Sequence, residues 1–231
     1  PQGLSQTRAL GEINRFMRAE DIAVGAAGSL PGDMQRLWRA AGRDTYHMEY
    51  GYSNMGYEIN GALGVKLACP EREVYTFFGD GSWLMAHSEV LTAVQEGLRI
   101  HFCLFDNAGW GCIESLQNNQ GNETFGTVFK KRNPQTGALD GEPLPVDFAK
   151  IAEAYGLKAY TVRTVDELRA ALADGLQQSA PVLYDIKVAP KTMTPGFASW
   201  WRVGVAEVSA QPEVRKAYGD MQSHLKNTRD L

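Results

Sequence analysis

The stretch Glu73-Val74-Tyr75-Thr76-Phe77-Phe78, followed by Gly79-Asp80-Gly81-Ser82, decides the fold of this chain. Its first six residues are rich in β-branched and aromatic side chains, which predicts a buried strand that ends on the glycine-rich turn. Residues 83–96 then have the spacing of an amphipathic helix, and a second strand, residues 100–105, ends on Asp106-Asn107. Because a crossover helix returns the chain to a parallel strand, Asp80 and Asn107 are expected at the same edge of one sheet.

The rest of the chain continues this alternation of strands and helices. Further strands are predicted over residues 21–27, 46–49, 159–162 and 182–188. Helices are predicted over residues 4–19, 33–39, 165–177 and 212–225, with Asp33 as the N-cap of the second. This alternation is typical of an α/β protein, so we expect a three-layer, doubly wound fold with about six parallel strands.

Composition narrows the class of partner. The 231-residue chain has a formal charge of −4 and a pI near 5.6, which argues against nucleic acid or an anionic membrane as a partner. No apolar stretch is long enough to span a bilayer. The three cysteines, Cys69, Cys103 and Cys112, have no CxxC spacing, so we expect reduced thiols in a cytoplasmic protein.

The residues after the two strands have the chemistry of a magnesium–diphosphate site. Magnesium prefers about six oxygen ligands, and Asp80, Asn107 and a nearby backbone carbonyl supply three. Gly79 and Gly81 are expected to permit a tight turn and close approach of a phosphate, with the N–H groups of Gly81 and Ser82 facing it. Gly28-Ser29, after the first strand, is expected to form a second such wall. A lone Gly-Asp-Gly is often only a turn, and the downstream Asn107 is what favours the site.

Neither a P-loop nor a dinucleotide fingerprint occurs in the sequence. Instead, residues 79–82 and 106–107 resemble the motif of the thiamine-diphosphate enzymes related to acetolactate synthase. The segment Ser53-Asn54-Met55-Gly56-Tyr57-Glu58-Ile59-Asn60-Gly61-Ala62-Leu63-Gly64 is similar to the part of that family that props the cofactor in its bent form. The resemblance covers residues 22–188. The tail, residues 192–196 and 199–209, resembles the branch of the family that opens a polyhydroxylated cyclic dione in myo-inositol breakdown.

The resemblance implies a role for each matching position. Thiamine diphosphate and Mg²⁺ are the implied cofactors, with metal ligands from the Asp80 and Asn107 side chains and the Gly109 carbonyl. The implied contacts of the diphosphate are Gly81 and Ser82 on one side and Gly28 and Ser29 on the other. Met55 would support the bend of the cofactor, and Gly56 would meet its pyrimidine. Asp106 replaces a second Asn of many relatives and is expected to point away from the metal with little effect.

The resemblance also implies what this chain lacks. Residues 1–190 would form the diphosphate-binding domain, with residues 191–231 as a tail and helix packed on it. The N-terminal pyrimidine-binding and middle domains would be absent, and with them the Glu that activates the cofactor, so no catalytic residue is expected here and the chain alone is expected to be inactive. The chain begins at Pro1, and we expect either a removed leader or a piece of a longer polypeptide.

The implied function is hydrolytic C–C cleavage that opens the cyclic dione to a 5-deoxyhexuronate. In this family the cofactor lies between subunits, which implies a homo-oligomer in which another subunit supplies the pyrimidine-binding domain. Two alternatives stay open: a synthase or decarboxylase of 2-oxo acids, and a non-catalytic cofactor-binding module. The sequence leaves open whether residues 118–145, a predicted long loop, close over substrate. The roles of five side chains also stay open: His47, His87, Glu114, Trp200 and Trp201.

Overall fold

A computed structural model describes residues 3–195, 200 and 202–228. Six strands form one parallel sheet in the order β2-β1-β3-β4-β6-β5, which confirms the predicted number and direction. The strands are β1 (Ile22–Gly25), β2 (Tyr46–Met48), β3 (Val74–Gly79), β4 (His101–Asp106), β5 (Lys158–Val162) and β6 (Val182–Lys187). The two strands that end on the motif residues, β3 and β4, pair directly with each other, and Gly79 lies opposite Phe105.

Helices cover both faces of this sheet, as predicted for a three-layer fold. The helices are α1 (Gln6–Phe16), α2 (Leu30–Leu37), α3 (Tyr57–Ala68), α4 (Asp80–Ala86), α5 (Val90–Gln95), α6 (Gly111–Asn119), α7 (Phe148–Ala154), α8 (Val165–Gly175) and α9 (Pro212–Leu225), with a 3₁₀ turn at His87–Glu89. Helices α1, α2 and α8 pack on one face. Helices α3, α4, α5 and α7 pack on the other.

Alternation of side chains along β3 explains the two cores. Tyr75 and Phe77 point into the core beneath α1, α2 and α8, whereas Val74 and Phe78 point into the core beneath α3, α4 and α5. All four are fully buried. A strand that is largely apolar on both faces is stable between two layers of helices, and this accounts for the mostly apolar run in the sequence.

Two local predictions were wrong. Asp33 is not an N-cap, because α2 begins at Leu30 and Asp33 lies in its first turn, fully buried. Its carboxylate instead accepts hydrogen bonds from Gln6 (2.7 Å) and from the backbone N–H of Thr194 (2.8 Å). The single helix predicted over residues 83–96 is divided into α4, the 3₁₀ turn and α5. The break at Ala86, whose φ is −141°, separates the helix that carries the motif from the one that follows it.

The long loop and the tail have limited regular structure. After α6 ends at Asn119, the chain to Pro145 forms only isolated bridges, such as that between Gly109 and Val128. Helix α9 follows the predicted bounds, and its Val214 is buried. Within the described ranges, no helix is both long enough and apolar enough to cross a membrane.

Candidate functional site

A cavity of about 250 Å³ lies where β1, β3 and β4 end. We call it the cofactor cavity. It is the place where ligands bind in open parallel sheets. Eight of the nine site residues expected from the sequence line it, the exception being Gly56; the eight are Gly28, Ser29, Met55, Asp80, Gly81, Ser82, Asn107 and Gly109.

Asp80 is fully buried and held in a fixed orientation by the backbone. One carboxylate oxygen accepts a hydrogen bond from the N–H of Gly81 (2.8 Å) and the other accepts one from the N–H of Gly109 (2.9 Å). The second bond joins the end of β3 to the turn after β4. It therefore fixes the distance between the two segments that carry Asp80 and Asn107.

Asn107 carries a buried side-chain oxygen, Oδ1, that has no hydrogen-bond partner among the described residues. An unsatisfied buried oxygen is rare in a folded protein and points to a ligand that completes its contacts. The next residue, Ala108, has a φ of 63°, a conformation that non-glycine residues seldom adopt and that often occurs at functional sites. Gly109 follows, and a Cβ there would lie 2.3 Å from the carbonyl oxygen of Thr127, so only glycine fits.

The carboxyl group of Asp80 lies close to that of Asp106, which is outside the cofactor cavity. Burial, and after it the neighbouring carboxylate of Asp106, raise the pKa of Asp80 well above its usual range. Asp106 also accepts hydrogen bonds from the N–H of Ala108 (2.9 Å) and from Lys187. Asp106 does not line the cofactor cavity, and its expected small effect on the metal site stays a prediction.

These observations fit a bound divalent cation. A buried carboxylate beside a second carboxylate is stabilised by a cation, and a free amide oxygen is a ligand that Mg²⁺ accepts. Within the described ranges, no group of three or more His, Cys, Asp and Glu side chains is arranged to hold a metal. A metal here would therefore depend on a mixed set of ligands, one carboxylate with amide and carbonyl oxygens.

Not every backbone N–H group that was expected to bind a diphosphate is free to do so. The Gly81 N–H is committed to Asp80, so in this structure it faces the carboxylate. Neither Gly79 nor Gly81 has a positive φ, and Gly79 is extended at φ −87° and ψ 167°. The backbone conformation of the turn therefore does not depend on glycine at either position. Gly81 is instead required by a close neighbour, since a Cβ there would lie 2.3 Å from Nε1 of Trp110.

The opposite wall of the cavity is formed by the residues after β1. The Ser29 hydroxyl contacts the Gln6 side chain (Ser29 Oγ to Gln6 Nε2, 3.0 Å), and Gln6 itself lines the cavity. Met55 faces the cavity from the turn before α3. Gly56 lies behind that turn, and its N–H donates to the Glu58 carboxylate (2.8 Å).

Sequence reasoning missed three residues of this site: Gln6, Glu58 and Trp110. Glu58 is fully buried, and burial raises the pKa of its carboxyl despite three hydrogen bonds. Its position in the first turn of a helix is typical of an exposed acidic residue, so no local signal indicates its role. The contribution of Gln6 comes from a helix far from the motif in sequence, and no local pattern indicates it.

The described side chains whose roles were left open lie outside the cofactor cavity. His87 Nδ1 contacts the Tyr155 hydroxyl (3.1 Å), and His47 Nε2 contacts the Tyr57 hydroxyl (2.6 Å). Glu114 accepts a hydrogen bond from Thr124 (2.9 Å), and Trp200 stacks on the His224 ring. Trp201, Gly196 and Ser199 of the tail motif are outside the described residues.

With this geometry established, comparison with known proteins identifies the family. Residues 26–186 match the family described as thiamine pyrophosphate enzyme, C-terminal TPP binding domain. The chain belongs to this family. Thiamine pyrophosphate (TPP) and thiamine diphosphate are the same compound, so the resemblance expected from residues 79–82 and 106–107 is confirmed.

Three individual proteins are similar to this chain over nearly its whole length. Each is named 3D-(3,5/4)-trihydroxycyclohexane-1,2-dione hydrolase: that of Geobacillus thermodenitrificans is 56% identical, that of Clostridium tetani 52% and that of Clostridium botulinum 51%. Each match spans 226 residues, which is 98% of this chain and 35% of the relative. The chain thus spans about a third of the length of the curated relatives it matches.

Proposed function

We propose that this chain is the cofactor-binding part of a TPP- and Mg²⁺-dependent enzyme that hydrolyses a C–C bond of a cyclic dione. The observation that carries the proposal is the unpaired, buried Oδ1 of Asn107 beside the buried carboxylate of Asp80 in one cavity. That arrangement is what a divalent cation bound to a diphosphate needs. Membership of the TPP-binding family supports the identity of the diphosphate.

The proposed metal ligands are the side chains of Asp80 and Asn107 and the backbone carbonyl of Gly109. The hydrogen bond from the Gly109 N–H to Asp80 (2.9 Å) already holds two of these groups together, so little reorganisation is needed when the cation binds. Binding of the cation would also offset the electrostatic repulsion between the Asp80 and Asp106 carboxylates.

The other cavity residues are proposed to hold and orient the cofactor. When bound, TPP supplies the carbanion chemistry that breaks the C–C bond. Ser82, Gly28 and Ser29 are proposed to face the diphosphate from two sides, with Gly81 contributing through the shape of the cavity and its N–H. Met55 is proposed to support the bend of the cofactor, and Gly56 to shape the turn that carries Met55.

The substrate is proposed from the relatives. The printed names of the three relatives above specify a hydrolase of 3D-(3,5/4)-trihydroxycyclohexane-1,2-dione, and identities of 51–56% support the same polyhydroxylated dione for this protein. The product would be the ring-opened 5-deoxyglucuronate of myo-inositol degradation. The alternatives are a synthase or decarboxylase of 2-oxo acids and a non-catalytic cofactor-binding module.

The chain is proposed to act with further protein. Residues 1–190 are proposed as the diphosphate-binding domain and residues 191–231 as a tail packed on it. The remaining two thirds of each relative leave room for a pyrimidine-binding domain that supplies the activating Glu. That domain is proposed to come from another subunit of a homo-oligomer. Cys69, Cys103 and Cys112 are free thiols, which supports a cytoplasmic location.

Product analysis tests the proposed reaction. The longer polypeptide that carries this sequence is incubated with Mg²⁺ and TPP and with either the cyclic dione or pyruvate, and the products are followed by NMR. We expect ring-opened acid from the dione and no acetolactate or acetaldehyde from pyruvate. Turnover of pyruvate without turnover of the dione would support the 2-oxo acid enzyme instead. A chain that binds TPP and transforms neither substrate would support the non-catalytic module.

A further inference from the structure

Glu58 is a buried carboxylate behind the cofactor cavity. It lies in the first turn of α3 and is fully buried, although it does not line the cavity itself. Placing a carboxylate in the interior is costly unless hydrogen bonds compensate, so the contacts of Glu58 indicate what it stabilises.

The carboxylate of Glu58 contacts three separate segments of the site. Oε1 accepts hydrogen bonds from the N–H of Ala27 (3.1 Å) and from the Ser82 hydroxyl (3.2 Å), and Oε2 accepts one from the N–H of Gly56 (2.8 Å). Ala27 immediately precedes Gly28 and Ser29. Gly56 immediately follows Met55. One side chain therefore joins the two walls of the cavity that are proposed to face the diphosphate, at Ser82 and at Gly28-Ser29, to the turn that carries Met55.

Helix capping accounts for only one of these contacts. Gly56 is the N-cap of α3, so its bond to Glu58 is local. The contacts with Ala27 and Ser82 span 31 and 24 positions of sequence and do nothing for the end of α3. In addition, the Thr76 hydroxyl donates to the Glu58 carbonyl oxygen (2.7 Å), which fixes the Glu58 backbone against β3.

We propose that Glu58 is a positioning residue that holds the diphosphate-facing walls of the cofactor cavity in register with the Met55 turn. The inference rests on the proposed function, because it concerns how this chain binds TPP. TPP would contact both parts that Glu58 joins. Inorganic pyrophosphate would contact only the walls at Ser82 and Gly28-Ser29. Loss of the Glu58 carboxylate is therefore expected to affect the two ligands differently.

The variant Glu58→Gln tests this difference because it keeps the size of the side chain. Either orientation of the amide turns an NH₂ group toward the N–H of Ala27 or of Gly56, so at least one of the two backbone hydrogen bonds is lost. Isothermal titration calorimetry of the longer polypeptide that carries this sequence, with Mg²⁺ present, measures the affinities of wild type and variants for TPP and for pyrophosphate. We expect TPP to bind about tenfold more weakly to Glu58→Gln, and pyrophosphate to change by less than about threefold.

Thr76→Val is the matched control. It removes the hydrogen bond to the Glu58 backbone at an equally buried position and leaves the carboxylate contacts in place. We expect it to lower thermal stability without changing the ratio of the two affinities. Should Glu58→Gln not fold, Glu58→Asp replaces it. The shorter side chain keeps the charge but cannot span all three contacts, and it is expected to weaken TPP about threefold with a smaller change for pyrophosphate.

The outcomes separate this inference from the proposed function. The positioning role alone is overturned if the wild type binds TPP and Glu58→Gln weakens the binding of both ligands equally or of neither. Equal weakening would mean that Glu58 holds only the two diphosphate-facing walls and does not position them relative to the Met55 turn. A wild-type chain that binds neither ligand in the presence of Mg²⁺ overturns the proposed cofactor site and the inference together.

Discussion

The two glycines of the Gly79-Asp80-Gly81 motif are expected to respond to alanine with opposite signs. At Gly81, a Cβ would lie 2.3 Å from Nε1 and 2.4 Å from Cδ1 of Trp110. At Gly79, the nearest atom to a Cβ is the Phe105 carbonyl oxygen at 4.0 Å. The first substitution must displace a neighbour, and the second meets only ordinary contact.

The magnitudes follow from these distances. The Trp110 ring packs edge-on against Phe129, with ring centroids 4.9 Å apart, so moving it disturbs a packed aromatic pair. Such overpacking costs about 1–3 kcal/mol, and alanine recovers up to about 1 kcal/mol within a helix, so the net destabilisation expected for Gly81→Ala is centred on about 1.5 kcal/mol. Gly79 has a φ that alanine adopts readily, so Gly79→Ala should stabilise the chain by about 0.4–1 kcal/mol.

Urea unfolding of the ligand-free chain, followed by circular dichroism, measures both free energies. The wild type and the two variants are compared under identical conditions, and each variant serves as the control for the other. A Gly81→Ala chain as stable as the wild type would refute the reasoning, as would two variants that shift the free energy of unfolding by the same amount in the same direction.

Three further predictions concern stability. Burial holds the pKa of His101 below its usual 6.5, so below that pH the unfolded chain takes up a proton that the folded chain does not, and the free energy of unfolding should fall. In urea titrations at several pH values, His101→Gln should reduce the dependence of this free energy on pH. An unchanged pH dependence would contradict the assignment. Asp33→Ala should cost about 1–3 kcal/mol and speed hydrogen exchange at the Thr194 N–H, which donates to Asp33; slow exchange in the variant would count against that contact. Lys187→Met should cost about 3 kcal/mol, because it leaves the buried carboxylate of Asp185 without the ammonium 2.8 Å away. Adding Asp185→Asn should recover part of that loss, and a double variant no more stable than the single one would argue against the pair.

The fold could be predicted from the sequence because its signals are local. The apolar run of β3 and the turn after it indicate a doubly covered parallel strand, and the same pattern recurs at β4. The edge shared by Asp80 and Asn107 then follows from the right-handed crossover that joins parallel strands. The match of residues 26–186 to the TPP-binding family confirms the resemblance inferred from the motif at that edge.

What the sequence did not reveal depends on contacts between distant segments. Asp33 has the side chain of an N-cap, yet its carboxylate is taken by Gln6 and Thr194, the latter 161 positions away. Glu58 looks like the solvent-exposed acidic residue of a helix start, and only the packing of Ala27 and Ser82 around it makes it part of the site. Tertiary contacts of this kind override the local conformational preference of a residue, and the periodicity of the sequence does not indicate them.

The most direct test of the central claim is calorimetric titration with TPP, with and without Mg²⁺, of the longer polypeptide that carries this sequence, as the wild type and as Asn107→Ala. Removing the Asn107 side chain takes away the unpaired Oδ1 without leaving a buried donor or acceptor behind at that atom. The account predicts Mg²⁺-dependent binding in the wild type and loss of the Mg²⁺-dependent part in the variant. Asn14→Ala, a distant Asn of α1 whose side chain bonds to Arg39, should bind as the wild type does. Equal Mg²⁺-dependent affinity in the wild type and in Asn107→Ala would contradict the account.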